Sequence, residues 1–221
     1  MLVRDMMQSN PVTVSPETPI SSIGDLMSQH RIRHLPVVAG ERLLGLISDR
    51  DLKASAASVA VARRGKKRDE PSAAILTARD LSRATIFTVA PGTPVEDAAR
   101  LLAEHRIGSL PVLDGDRFVG IVTDTDVLAC FARLVGGPTA SRRLEVVIPS
   151  AGPSLAEVVK LLEHAGGRVV SLIVGSGPRG QVRLVVRVVA SDCADAMDAL
   201  RAAGCAVAET PATGAVDTSR P

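Results

Sequence analysis

The chain carries an internal repeat, which limits its possible folds more than any other feature. Shifting the sequence by 75 positions aligns Arg4–Leu52 with Arg79–Val127 without a gap, and 19 of the 49 aligned pairs are identical. Such a repeat indicates two copies of one supersecondary unit. Because a unit this small cannot bury both faces of its sheet alone, we expect the copies to pack about a pseudo-twofold axis with a cleft between them.

Each copy shows the same predicted order of short strand, helix, hairpin and second helix. In the first copy a short strand is expected at 12–14, and Thr18 is the expected cap of a helix with Pro19 in its first turn. Apolar residues then recur at helical spacing. Two apolar runs flank Gly40, which is typical of a β-hairpin, and a second helix follows near Ser48 or Arg50.

Composition and charge argue against several classes of function. The formal net charge is only +2, and the chain has no Trp or Tyr and three Phe. The chain therefore has neither a strong positive electrostatic field nor aromatic rings for stacking on bases, and nucleic acid is not an expected partner. The cysteines Cys130, Cys193 and Cys205 lack the spacing of a disulfide framework or zinc site. We therefore expect them to be buried and to pack as small apolar residues.

Signals for membranes, catalysis and metals are also missing from the sequence. The N-terminus lacks the basic flank and apolar core of a signal peptide, and no segment has the apolar length of a membrane helix. We therefore expect a cytoplasmic protein with no membrane span. Because no Walker loop, zinc-protease motif or nucleophile elbow occurs, we expect no enzyme, no catalytic residues and no metal site. His30 and His105 are interpreted as structural.

A hydroxyl followed three residues later by aspartate ends the hairpin of each copy. The pairs are Ser48 with Asp51 and Thr123 with Asp126, and each follows a glycine and an apolar strand. A hydroxyl beside exposed amides suits phosphate or ribose oxygens, and a carboxylate one turn later can accept both ribose hydroxyls. The same pattern is also a helix-capping motif, so ligand binding and capping both stay open.

The order of the segments VRDMM, NPVTVSPETPI, HRIRHLPVV and GLISDRDL resembles a CBS domain, and the second copy resembles its partner in a CBS pair. The resemblance covers roughly residues 1–135. It implies that the pair binds AMP, ADP, ATP, S-adenosylmethionine or a related adenosyl ligand in two clefts, and that no other cofactor is required.

The resemblance also implies which residues contact the ligand. Ser48 with Asp51 and Thr123 with Asp126 are expected to hold ribose and phosphate. Arg50 is also expected to contact the nucleotide. The residues before the two Leu-Pro pairs, Arg33, His34, Gly108 and Ser109, are expected to line the clefts, and adenine is expected near Thr13 and Thr88. Because Arg33 and His34 supply phosphate donors that Gly108 and Ser109 lack, one site is expected to take phosphorylated ligands while the other stays empty.

From Arg143 the pattern changes to strand, helix, strand, strand, helix, strand, which predicts a ferredoxin-like sandwich. Gly166 and Gly204 are expected to end the two helices. This run resembles an ACT domain, a family that often binds amino acids between paired copies. Its acidic-x-Pro-Gly loop is replaced here by residues 150–153 (SAGP), so amino-acid binding and dimerisation both stay open as roles.

The predicted fold class is therefore α/β (α+β), with a tandem CBS-domain pair followed by a ferredoxin-like βαββαβ ACT-like domain. The predicted segments are a first CBS domain at 1–62, a basic linker at 63–77, a second CBS domain at 78–137, the ACT-like domain at 142–210 and a disordered tail at 211–221.

This arrangement resembles the acetoin-utilisation-type CBS proteins and implies a non-catalytic, homodimeric regulator. Such a protein would sense an adenine nucleotide or other adenosyl ligand and act on an unknown regulated protein. One alternative is a structural dimerisation and assembly module without a small ligand. Another is a nucleic-acid-binding regulator that uses the basic run Arg63–Arg68 in the linker.

Overall fold

A computed structural model describes residues 1–55, 76–83, 85–136, 141–190 and 192–210 of the 221 residues. The chain divides into two compact units, Met1–Leu128 and Ala129–Pro221. The basic run at 63–68 and the tail at 211–221, for which the sequence makes predictions, lie outside the described residues. In the described part of the chain, no helix has the length and apolar character needed to cross a membrane.

The first unit contains the two predicted copies of a helix, a hairpin and a second helix, and the last of these helices continues past Leu128 into the second unit. The first copy comprises α1 (Ile20–His30), β1 (His34–Ala39), β2 (Arg42–Ser48) and the described residues 49–55 of helix α2. A short helix α3 (Ala78–Leu81) precedes the second copy, which comprises α4 (Val95–His105), β3 (Ser109–Asp114), β4 (Arg117–Thr123) and α5 (Asp124–Gly136).

The two hairpins have the same turn and the same pairing. Gly40 and Gly115 adopt positive φ angles of 61° and 60° in the turns, a conformation that favours glycine. Both antiparallel ladders shift register once, between Val37 and Val38 in the first copy and at the equivalent place in the second. The pairing sets His34 opposite Ser48 and Ser109 opposite Thr123. Residues predicted to line the clefts therefore lie at the same end of each hairpin.

Two local predictions need correction. The strand expected at 12–14 is a single parallel bridge between Val14 and Val37. Helix α1 begins one residue later than expected, because its N-cap is Pro19 in an extended conformation and not Thr18. The backbone of Thr18 is held outside the helix, since its carbonyl accepts a hydrogen bond from the N–H of Ala78 at 2.8 Å.

The N-terminal segment packs on the second copy, not on the first. The N–H of Val3 donates to the carbonyl of Thr93 at 2.9 Å, and Gln8 forms an antiparallel bridge with Ile121 of β4. Val3 is fully buried in a core cluster with Val112 and other residues of the second copy. The second hydrophobic core is therefore incomplete without residues that precede the first copy.

The reciprocal contact is made by residues 77–83. The N–H of Ala78 donates to Thr18 of the first copy, and Arg83 forms an antiparallel bridge with Leu46 of β2. Ala78 is fully buried in the core cluster of the first copy. Each copy thus gives its leading segment to the other, which the repeat alignment alone does not reveal.

The repeated glycine before each hydroxyl makes this exchange possible. A Cβ atom at Gly120 would lie 2.6 Å from the carbonyl oxygen of Gln8, and one at Gly45 would lie 2.8 Å from the Cβ of Ser82. Both distances are shorter than any normal contact, and backbone atoms cannot swing aside as a long side chain can. The two glycines are therefore required by close approach of the exchanged segments.

After the end of α5, the described part of the second unit contains four strands and two α-helices in the predicted order. They are β5 (Arg142–Ile148), α6 (Leu155–His164), β6 (Arg168–Ser176), β7 (Val182–Val189), α7 (Ala194–Ala202) and β8 (Ala206–Thr210). The strands form one antiparallel sheet in the order β6-β7-β5-β8.

The core of the second unit lies between this sheet and its two helices. Alternate residues of β5 and β7, among them Val146 and Val186, are fully buried against Leu162 of α6 and Leu200 of α7. Gly166 and Gly204 adopt positive φ angles where these helices end, as expected. All three cysteines of the chain are buried, which confirms their predicted environment.

The close approach at Gly120 gives a test of the exchange. Replacing Gly120→Ala forces the new methyl group against the Gln8 carbonyl, and we expect a loss of about 1–3 kcal/mol in the free energy of unfolding. Hydrogen exchange should accelerate in residues 2–8 as well as in β4. Gly92→Ala is the matched control, because no atom of the described residues lies within 4 Å of its Cβ position. If the two substitutions had equal effects on stability and on hydrogen exchange, the proposed packing of residues 2–8 against β4 would be contradicted.

Candidate functional site

Two related cavities lie in the first unit. We call them cavity A, of about 730 Å³, and cavity B, of about 290 Å³. Cavity A is lined by Ser48 and Asp51 from the first copy and by Gly108 and Ser109 from the second. Cavity B is lined by the equivalent Thr123, Asp126, Arg33 and His34. The expected cleft between the copies is thus present twice, and each hydroxyl–aspartate pair faces residues of the other copy.

In cavity A, Ser48 and Asp51 form a short hydrogen-bonded pair. The hydroxyl of Ser48 donates to Asp51 Oδ2 at 2.6 Å, and the Ser48 N–H donates to the same oxygen at 3.0 Å. The N–H of Asp51 donates back to the Ser48 hydroxyl at 3.3 Å. This arrangement is a capping box at the start of the helix. Ser48 and Asp51 therefore cap the helix and also line the cavity.

The equivalent pair in cavity B has the same geometry. Thr123 donates to Asp126 Oδ2 from its N–H at 2.8 Å and from its hydroxyl at 2.7 Å. The N–H of Asp126 donates a hydrogen bond to the Thr123 hydroxyl at 3.2 Å. The difference between the cavities therefore lies in the residues around the pairs.

Arg83 is the most important of these surrounding residues, and the sequence analysis did not identify it. Its Nε and Nη2 atoms donate to Asp51 Oδ1 at 3.0 Å and 2.6 Å. Burial opposes ionisation of Asp51, but the hydrogen bonds from Ser48 and Arg83 outweigh it and lower the pKa of this carboxyl group. The equivalent position in cavity B is Gln8, which is uncharged.

Arg33 and His34 lie where the two cavities meet and line both. Arg33 forms an ion pair with Asp124 at 3.2 Å. His34 packs against Gly108, where a Cβ atom would lie only 2.7 Å from the His34 ring. Burial, reinforced by the charge of Arg33, lowers the pKa of His34 in spite of the nearby carboxylates. His34 is therefore predominantly neutral near pH 7 and acts as a donor and acceptor without charge.

Ser109 has a buried hydroxyl group at the wall of cavity A. The residue is 3% exposed, and its Oγ atom has no hydrogen-bond partner among the described residues. Burying a hydroxyl without a partner is costly, so Ser109 is an unsatisfied polar residue beside the cavity.

An aromatic pair at cavity A was also missed. Phe87 and His105 stack with ring centroids 3.8 Å apart, and both line the cavity. Two signals could have identified Phe87: it aligns with Val12 of cavity B, and it directly precedes Thr88. Thr13 and Thr88, the predicted neighbours of adenine, do not line cavity A or cavity B. Thr88 lines a third cavity instead.

The remaining predicted contact, Arg50, lines cavity A, as does Arg106 at the end of α4. Neither has an ionic partner in the described part of the chain, whereas Arg33 and Arg83 are paired with aspartates. The described residues include no group of three His, Cys, Asp or Glu side chains that could hold a metal ion.

Comparison with known proteins identifies the class of the first unit. The family profile described as "CBS domain" matches residues 3–57 and 75–133, which together are more than half of the chain. The chain belongs to the CBS domain family. The two matched ranges correspond to the two copies of the repeat, so the fold contains a CBS pair.

Individual relatives agree with this assignment. The chain is 31% identical over 125 residues to the CBS domain-containing protein YhcV of Bacillus subtilis (strain 168), an alignment that spans 57% of this chain and 81% of YhcV. The crystal structure of a Vibrio cholerae protein assigned as AcuB, for acetoin utilization, matches with a TM-score of 0.53 and 30% identity, over 61% of this chain and 93% of the other. CBSX2 in complex with AMP matches with a TM-score of 0.50 and 29% identity, over 60% of this chain and 96% of the other.

The lowered pKa of Asp51 makes a prediction for stability against pH. Because its folded pKa lies below the ordinary 3.8, the ionised carboxylate stabilises the fold above pH 3.8, and this contribution is lost as the pH falls through the folded value. We expect Asp51→Asn to lower the free energy of unfolding by up to about 1 kcal/mol at pH 7, with the difference shrinking below pH 4. Urea unfolding of the wild type and the variant at several pH values measures this difference in the free energy of unfolding. A difference that stays constant with pH would contradict a lowered pKa of Asp51.

Proposed function

We propose that the chain is a non-catalytic regulatory protein that senses an adenine nucleotide or another adenosyl ligand in its CBS pair. The observation that carries this proposal is the repeated placement of a hydroxyl–aspartate pair in the wall of a cavity, opposite residues of the other copy. A motif used only as a helix cap has no need of a cavity. The exposed capping box of Thr77 and Asp80, which lines none of these cavities, shows the pattern without one.

Cavity A is the proposed binding site, because its size and chemistry suit a nucleotide. Its volume of about 730 Å³ lies within the range of roughly 300–1,000 Å³ typical of ligand pockets, whereas cavity B, at about 290 Å³, lies at the lower limit. Asp51 can accept ribose hydroxyls, and the arginines suit phosphate oxygens. Ile86 and the half-exposed ring of Phe87 offer an apolar wall for adenine.

The AMP complex of CBSX2 supports this choice of ligand class, since that structure matches over 60% of this chain. CBS domains are in general regulatory and not catalytic, which supports the proposal that this chain is no enzyme. AMP, ADP, ATP and S-adenosylmethionine are the ligands to compare. Regulation requires that the ligand bind one conformation of the chain better than another, and the regulated protein is unknown.

Ligand binding by cavity A can be tested by thermal denaturation with AMP, ADP, ATP, S-adenosylmethionine and free amino acids. At a ligand concentration of 100 Kd, binding stabilises the folded state by about 2.7 kcal/mol, so a bound ligand raises Tm by several degrees. We expect at least one adenosyl ligand to raise Tm, and we expect Asp51→Ala to abolish the shift.

Two control variants separate binding from capping. Asp126→Ala removes the equivalent carboxylate from cavity B, and Asp80→Ala removes a cap from the box of Thr77 outside these cavities. Both are expected to retain the shift. If no ligand raises Tm for the wild type, or if Asp80→Ala loses the shift as completely as Asp51→Ala, the sensor proposal fails.

For the second unit we propose a ferredoxin-like fold of the ACT type. The support is the strand order β6-β7-β5-β8 with α6 and α7 packed on one face, which is the arrangement of a split βαβ pair. Amino-acid sensing and homodimerisation are its two proposed roles. The amino acids in the thermal screen test the first of these roles.

A second candidate function, the assembly module, is favoured by one observation. Helix α5 exposes three large apolar side chains at a spacing of three residues: Leu128 at 67%, Phe131 at 57% and Leu134 at 56%. Such a stripe is self-complementary when two copies meet about a twofold axis. We expect a homodimer by light scattering and a monomer for Phe131→Ser. A monomeric wild-type chain would remove this candidate. The nucleic-acid alternative rests on residues 63–68, which lie outside the described residues.

A further inference from the structure

The carboxylate proposed to hold the ribose in cavity A is already occupied by protein groups. Asp51 Oδ2 accepts the N–H and hydroxyl of Ser48, and Asp51 Oδ1 accepts two N–H groups of Arg83. Ribose hydroxyls donating to Asp51 must compete for Oδ1, because Oδ2 belongs to the capping box. A ribose can therefore reach this carboxylate oxygen only by replacing Arg83.

Replacing Arg83 on Asp51 is feasible because the side chain is exposed while its backbone is held. The Arg83 side chain is 67% exposed, and an ion pair of this exposure contributes little to stability. Its backbone exchanges two hydrogen bonds with Leu46 of β2, at 3.1 Å and 3.3 Å. When the ribose takes Oδ1, the guanidinium group loses its partner but stays at the wall of cavity A.

We infer that Arg83 makes cavity A selective for adenosine that carries a 5′-phosphate over unphosphorylated adenosyl ligands. The inference rests on the proposed function of this cavity. A ligand phosphate replaces Asp51 as the anion paired with Arg83, and guanidinium binds phosphate oxygens through parallel N–H donors. Unphosphorylated adenosine offers no such replacement, so its binding leaves Arg83 without a partner.

Two further features of cavity A support an anionic, polar ligand. Arg50 and Arg106 line the cavity without an ionic partner in the described part of the chain, and the four arginines of the lining outnumber its three aspartates. Ser109, a lining residue whose buried hydroxyl group lacks a partner among the described residues, adds an unsatisfied polar group beside the cavity. Cavity B has Gln8 in place of Arg83, so this selectivity is a property of cavity A alone.

Titration calorimetry of the full chain with AMP and with adenosine tests the inference. For Arg83→Gln, which copies the residue of cavity B, we expect AMP to bind about tenfold more weakly. We expect adenosine to bind up to about fivefold more tightly, since Asp51 no longer has to be freed. Arg83→Lys keeps the charge and should retain much of the preference for AMP.

Arg79→Gln is the matched control. It removes the same charge from the same segment, but Arg79 pairs with Glu17 and does not line cavity A. We expect its ratio of AMP to adenosine affinity to equal that of the wild type. An unchanged ratio in Arg83→Gln, or an equal change in Arg79→Gln, would overturn the role of Arg83 while leaving the sensor proposal intact. If neither AMP nor adenosine binds the wild type, this inference fails, and the thermal screen with ADP, ATP and S-adenosylmethionine decides whether the proposed function fails as well.

Discussion

The structure of the first unit depends on the reciprocal exchange of two short segments. Residues 2–8 complete the core of the second copy and form one bridge to its hairpin, and residues 77–83 do the same for the first. This exchange requires glycine at 45 and 120, where the crossing backbone leaves no room for a side chain. The same contacts bring Arg83 to cavity A and Gln8 to cavity B. Core packing and the difference between the two sites thus have one origin.

Capping by the hydroxyl–aspartate pairs is compatible with the ligand binding proposed for them. One carboxylate oxygen of Asp51 closes the capping box, which leaves the other oxygen for an external donor. In the structure that donor is Arg83, and in the proposed complex it is the ribose. The capping box holds Asp51 in a fixed rotamer, so the carboxylate is already oriented for a ligand. The cap is therefore a support for the proposed site and not a rival to it.

Much of the fold could be predicted because local signals and the repeat agree. Glycines mark the hairpin turns, and the spacing of apolar residues marks α1 and α4. The alignment of the chain with itself at an offset of 75 positions predicts two related sites. Sequence reasoning failed where long-range packing decides. Nothing local shows that Val3 belongs to the second core, or that Arg83, 32 residues beyond Asp51, contacts it. Helix α1 begins at Ile20 because the Thr18 carbonyl bonds to Ala78, another contact from the distant segment.

The exchanged segments also indicate how binding at cavity A would be communicated. Arg83 ends the segment that contains Ala78, and Ala78 is buried in the core of the first copy. A ligand that moves the Arg83 side chain from Asp51 to phosphate changes the charge balance at the edge where this segment meets β2. A conformational equilibrium shifts only through contacts that differ between its states. The pair of Arg83 and Asp51 is such a contact, because the ligand must break it to bind, whereas the neutral Gln8 gives cavity B no equivalent.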